Sequence, residues 1–188
     1  MRTTVGRTLL LALLLATLAL PASGQRYSVS TDCLDWLTLG ALNADASVAV
    51  GQHVSLHAGG ALNPWTFRKE DPEKQFQARL MTVWGGARWW PWHVYSGWWA
   101  GMDAIYRVYN VGGVIKRQTE EADAYGGRLW GGYSVMLSGH WNLDIGAGIW
   151  GGWKDYTVYS CPSCGVIQEK GGKVFVLPDA RVAIQLIF

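Results

Sequence analysis

The chain has 188 residues with 16 basic and 14 acidic side chains, and 24 glycines and 12 tryptophans against only 4 phenylalanines. With Arg2 and Arg7 set aside in a leader, the remaining charges balance, so nothing recruits nucleic acid, whose phosphates need a basic patch. No uncharged apolar run beyond that leader reaches the roughly 18 residues of a spanning helix, which excludes a helical membrane protein.

Residues 1–24 are expected to form a cleaved signal peptide: Arg2 and Arg7 precede the uncharged stretch Thr8–Leu20, and "ASG" supplies small residues for cleavage. The first cysteine is Cys33, so no lipid-anchoring cysteine follows that site directly. Residues 25–188 have the length of one domain.

Three stretches then share turn chemistry: "VGQHVSL" around His53, "WPWHVYS" around His93 and "LSGHWNL" around His140. Each is followed by an alternation of apolar with small or polar side chains, and their spacing suits a repeated pair of strands. Eight strands are predicted, roughly at 33–42, 45–51, 54–65, 76–90, 93–110, 124–138, 141–157 and 174–188. A short connection near 42–45 closes the first hairpin, and polar loops are expected at 66–77, 111–123 and 159–173.

Residues two apart share a face of a strand. On 141–157, Trp141, Leu143, Ile145, Ala147, Ile149 and Trp153 share one face, opposite Asn142, Asp144, Gly146, Gly148, Trp150 and Lys154. On 93–110, Val94, Trp98, Ala100, Met102, Ala104, Tyr106 and Val108 oppose Tyr95, Gly97, Trp99, Gly101, Asp103 and Arg107. An apolar face bounded by aromatics, opposite a mixed one, is the pattern of an all-β, eight-stranded antiparallel up-and-down transmembrane barrel of outer-membrane type. Only a closed sheet leaves no backbone edge unpaired in lipid. Eight strands enclose a lumen that side chains fill. Trp89, Trp92, Trp98, Trp141 and Trp153 are the expected aromatic girdle, each ring half in lipid with its N–H wet. Trp90 and Trp99, of opposite parity, are expected inside, and Pro91 in the turn costs no ladder hydrogen bond. At the chain's end Val182, Ile184, Leu186 and Phe188 share a face and look like the signal read by the outer-membrane assembly machinery.

Several stretches resemble the small outer-membrane barrels of Bacteroidetes-type bacteria classed as domain of unknown function 3575. They are "NPW" at 63–65, "ARWW" at 87–90, "YNVGG" at 109–113, "WNLDIGAGIWGG" at 141–152 and "CPSCG" at 161–165. The resemblance implies a barrel in the outer membrane and brings no established activity. Gly86 departs from the pattern, since the family often carries Glu ahead of the "AR".

Cys161 and Cys164 are read as a structural disulfide closing a small loop in an oxidising compartment. A redox Cys-x-x-Cys would want a βαβ context and a zinc site further ligands, and neither surrounds them. Cys33 is left over, either free or competing for a partner. Four strand charges form the second constellation. Arg88 and Asp144 are expected to meet across the lumen near the short-turn end, with Asp103 and Arg128 as a second pair higher up. Such pairs satisfy a plugged interior, because a buried charge must be paired; the alternative is a gated polar path. His53, His93 and His140 fall in turns and His57 on a strand, so no metal set or catalytic residue is named, and no cofactor is expected. The reading is a non-enzymatic outer-membrane barrel with a structural, surface-interaction or assembly-anchor role. Its expected partners are outer-membrane lipid, the assembly machinery and a surface partner bound through the loops. Rival readings are a narrow pore for small solutes, a secreted lipocalin-like binding barrel and a lipid-modifying enzyme.

Overall fold

A computed structural model describes residues 25–37, 40–67, 75–113, 118–161 and 165–188. The expected leader, 1–24, lies outside them. The chain is all-β and antiparallel: β1 Tyr27–Asp32, helix α1 Cys33–Leu37, β2 Leu42–Ala49, β3 Val54–Asn63, β4 Thr66–Phe67, β5 Phe76–Trp89, β6 Gly97–Gly112, β7 Thr119–Met136, β8 Trp141–Tyr159 and β9 Ile167–Ile187. Consecutive strands pair except β3 with β4, β1 pairs with β9, and β3 pairs with β5, so eight strands of 6 to 21 residues close into a ring and two-residue β4 flanks β5.

The first element differs from expectation. Residues 33–37 form a helix and the first strand is 27–32. The apolar residues of "CLDWL" can be read at either period, and local capping decides between them. Asp32 Oδ1 accepts the Leu34 N–H at 2.9 Å, as an N-cap does, and Gly40 at φ 75° ends the segment. The first connection therefore runs from 33 to 41, and 42–45 belongs to β2. β1 is inconspicuous in the sequence because its inward positions are polar, Ser28, Ser30 and Asp32. Gln185 Nε2 donates to Ser28 at 2.8 Å and Arg181 Nη2 to Ser30 at 2.6 Å, so long side chains of β9 fill the space.

Strands also run further than expected into the charged stretches. β7 starts at Thr119 and β9 at Ile167, so 119–123 and 167–173, taken as loop, are strand. Conversely β6 starts at Gly97, and 90–96 folds inward as a turn, with Tyr95 at φ 66°. Val94, expected on the apolar outer face, is buried at that end of the ring.

Burial alternates along the strands. On β8, Trp141, Ile145, Ala147, Ile149 and Trp153 are exposed, while Asn142, Asp144, Gly146 and Trp150 are buried. Large inward rings fit because their neighbours lack side chains. A Cβ on Gly132 would stand 2.1 Å from the Ile145 carbonyl oxygen and 2.6 Å from the Trp99 ring, and one on Gly146 would meet the same ring at 2.8 Å.

Candidate functional site

From the short-turn end upward, the interior holds an aromatic plug, an ionic belt and a vestibule. The plug is Trp90, Val94, Tyr95, Trp99, Trp130 and Ile187, with Trp90 wholly inaccessible to solvent. The turn that carries Val94 and Tyr95 is drawn in by backbone and side-chain bonds: Val94 N–H donates to the Gln52 carbonyl at 2.9 Å, Asn142 Nδ2 to the Tyr95 carbonyl at 2.6 Å, and the Tyr95 hydroxyl to the Arg26 carbonyl at 3.2 Å. Trp90 Nε1 donates to Ser55 Oγ at 3.0 Å, so the buried indole keeps a partner.

Above the plug, Asp144 collects four groups. Arg88 Nη1 donates to its Oδ2 at 3.1 Å, with Arg181 Nε 3.3 Å from the same oxygen, and Trp99 Nε1 and Ser134 Oγ donate to Oδ1 at 2.7 and 2.9 Å. In the inward row next above that of Arg88, Arg128 Nε donates to Asp103 Oδ2 at 2.7 Å and its Nη1 to Asp179 at 2.8 Å. His57 bridges the belt, with Nδ1 3.0 Å from Asp45 and Nε2 2.8 Å from Asp103. Asp45 also accepts the Trp84 indole N–H at 2.7 Å and lies 3.9 Å from both Arg88 and Arg181. Four carboxylates thus face three guanidinium groups and one imidazole. The Trp130 ring has the guanidinium of Arg128 at 3.9 Å, that of Arg88 at 4.6 Å and that of Arg181 at 5.6 Å. Such cation–π contacts tie the belt to the plug. Gly86 is required here: a Cβ would stand 2.1 Å from the Met102 carbonyl oxygen and 2.2 Å from Asp103 Oδ1.

The four charges named from the sequence therefore pair as Arg88 with Asp144 and Asp103 with Arg128. Asp45, His57, Asp179 and Arg181 were missed, although the same alternation points Arg181 inward, opposite Val182 and Ile184. Asp45 was obscured because the first strands were placed out of register.

Toward the loop end a vestibule of about 520 Å³ opens above the ring of Ile105, Ala124 and Trp150. Its walls are mostly apolar, from Leu80, Val111, Trp150, Phe175 and Leu177, and it carries Arg107, Lys154 and Lys173. Lys154 pairs with Glu120 and donates to the Tyr109 hydroxyl at 2.9 Å. Helix α1 packs beside β9 at this end. Burial pushes the carboxyl of its Asp35 above the ordinary carboxylate range, with neighbouring Asp32 adding to the rise.

Trp89, Trp92, Trp98, Trp141 and Trp153 are all exposed, and so is Phe188, with Val182, Ile184 and Leu186 on the same face. Cys164 lies outside the described residues, Cys161 is buried, and Cys33 is a free thiol at the start of α1. No group of three or more His, Cys, Asp or Glu residues suited to a metal ion occurs among the described residues.

A family model described as "Protein of unknown function (DUF3575)" matches residues 9–188, nearly the whole chain. No curated protein matches it.

Proposed function

We propose, for a chain that belongs to the DUF3575 family of unknown function, that the closed ring is an integral outer-membrane β-barrel. In this reading it is exported by a signal peptide at 1–24 and has a non-enzymatic structural, surface-interaction or assembly-anchor role. The observation that carries the reading is the outer face of the ring. Its positions from 27 to 31, 42 to 48, 54 to 62, 81 to 89, 98 to 108, 125 to 135, 141 to 153 and 174 to 186 hold no charged side chain. A ring in water would carry its charges there. Here Arg88, Asp103, Arg128, Asp144 and Arg181 point inward instead, and the outward series on β7 turns acidic only above Tyr125, at Asp123 and Glu121.

The height of this band fits a bilayer. From Trp141 to Trp153 the strand climbs about 40 Å at roughly 3.3 Å per residue, and a tilt of about 45° leaves about 28 Å, against about 25 Å for known outer-membrane bands. Aromatic residues border it: Tyr27, Trp89, Trp98, Tyr133, Trp141 and Phe188 below, Tyr106, Tyr125 and Trp153 above. The plug and belt support a filled lumen over a pore, since the buried charges engage one another. The C-terminal face ending in Phe188 supplies the segment for the assembly machinery, and the loop end is the side offered to a surface partner.

The test is fractionation of cells expressing the full chain, then electrophoresis of the extracted protein with and without boiling. Retention in the outer membrane after a carbonate wash, with compact migration until boiled, is expected. Recovery from periplasm or medium overturns the reading.

A further inference from the structure

We infer that the vestibule is a binding site for a single-chain amphiphile with an anionic head, the head held by Arg107, Lys154 and Lys173 and the chain lying against Trp150, Phe175 and Leu177. The three cations stand on one register row. Arg107 is paired with Ala124, Ala124 with Lys154, and Lys154 with Lys173, so they converge from three strands of one wall. The only carboxylate paired with them among the described residues is Glu120, which is taken up by Lys154.

Arg107 is the anchor. Its Nε donates to Thr82 Oγ1 at 3.0 Å and its guanidinium lies 4.7 Å from the Trp150 ring centroid, which fixes the plane. Neither terminal nitrogen has a hydrogen-bond partner among the described residues, and no carboxylate of theirs lies within ion-pair distance, Asp35 and Asp179 acting only from further away. A partly buried guanidinium without a counter-charge is costly, whereas a planar fork that is already oriented suits a carboxylate, sulfate or phosphate oxygen pair. Among the described residues Lys173 likewise makes no ion pair, its ammonium lying 5.0 Å from the Tyr156 ring.

Apart from Asn63 and Tyr109 the remaining lining is apolar, and about 520 Å³ falls within the range of roughly 300–1,000 Å³ typical of small-ligand sites. An access route is also present. β1 pairs with β9 only over Ala183–Ile187, so the part of β9 that carries Lys173, Phe175 and Leu177 has a strand on one side only, while the five-residue helix α1 packs beside β9. Leu177 points inward yet is 48 % exposed, and Lys173 is exposed as well, as expected beside an opening. Pro178, which lacks an N–H, sits in this stretch, where a missing donor costs no second ladder.

The test uses the full mature chain folded in a nonionic detergent, with compact migration on unboiled gels as the folding control, and follows tryptophan fluorescence. Dodecanoate and dodecyl sulfate below their micellar concentrations are compared with dodecanol, which lacks the charge, and with acetate and inorganic phosphate, which lack the chain. Saturable binding of the charged chains at least about 10-fold tighter than dodecanol or either small anion is expected. Arg107→Gln should weaken it about 10-fold or more and bring dodecanoate to the level of dodecanol. Lys173→Gln, at an exposed position, serves if Arg107→Gln fails to fold and should cost a smaller factor. Equal affinity for dodecanol, equal affinity in a folded Arg107→Gln or Lys173→Gln variant, or binding of phosphate as tight as that of dodecanoate overturns the inference. The site lies inside the ring, so this outcome is separate from membrane residence, which fractionation reads.

Discussion

Asp144→Ala probes the belt at its most connected residue. The carboxylate is wholly buried and receives two guanidinium groups, one indole N–H and one hydroxyl. Removing it deletes two hydrogen bonds from neutral donors to a charged acceptor, each about 1.5–3 kcal/mol net, and strips Arg88 and Arg181 of their closest counter-charge. Breaking a buried pair by deleting one partner costs about 3–5 kcal/mol. Asp45 remains 3.9 Å from both guanidinium groups, so the lower part of that range is expected. Asp144→Asn keeps an acceptor for Trp99 and Ser134 but loses the charge, and should cost about 1–2 kcal/mol less than alanine, the size of two such bonds to a neutral acceptor. The assay is urea unfolding of the folded protein in detergent micelles, followed by tryptophan fluorescence, with the midpoint compared at unchanged slope. A cost for Asp144→Ala under about 1 kcal/mol, or no difference between alanine and asparagine, would refute the claim that the belt holds the ring together through this carboxylate.

Ile149→Lys places a charge in the middle of the outer band at a position 54 % exposed. In a bilayer it should destabilise by about 2–4 kcal/mol, against about 0.5 kcal/mol or less at such a position in water, so unfolding from lipid vesicles distinguishes the two surroundings. Gly132→Val should abolish the compact unboiled band, because its Cβ would stand 2.1 Å from a backbone oxygen, whereas Gly139→Ala, with nothing within 4 Å, should leave it unchanged. Alkylation of the denatured but unreduced protein should label one cysteine, Cys33, and labelling after reduction should reach all three; three labels without reductant would remove the Cys161–Cys164 bridge. Asp35 has its carboxyl raised above the ordinary value of 3.8. The stability this confers is present below that value and is lost as pH rises through the folded pKa. Asp35→Asn should therefore raise the unfolding midpoint at neutral pH, with the gain shrinking below about pH 4.

The parts of this molecule legible in the sequence are those that depend on parity alone. Alternation assigned Trp90 and Trp99 inward and Trp89 and Trp98 outward, because one register shift would turn every side chain on a strand to the wrong face. Local hydrogen bonding concealed the rest. "TDCLDWL" alternates well enough for a strand, and Asp32 capping Leu34 makes it a helix instead. That misplacement moved Asp45 into a connection and left His57 without a visible partner, although both lie in the ionic belt. The charged stretches 119–123 and 167–173 were equally misleading, because charge was taken to mark loops. In a ring whose strands outrun the apolar band, charge marks only where the outer surface changes. On β8 that change lies between Trp153 and Asp155. Inside the ring the same level carries Arg107, Lys154 and Lys173, since the row that ends the outer band also forms the wall of the vestibule. A charge on this level can belong to either surface. Only the parity of its strand, known once the register is known, separates Asp155 facing out from Lys154 facing in.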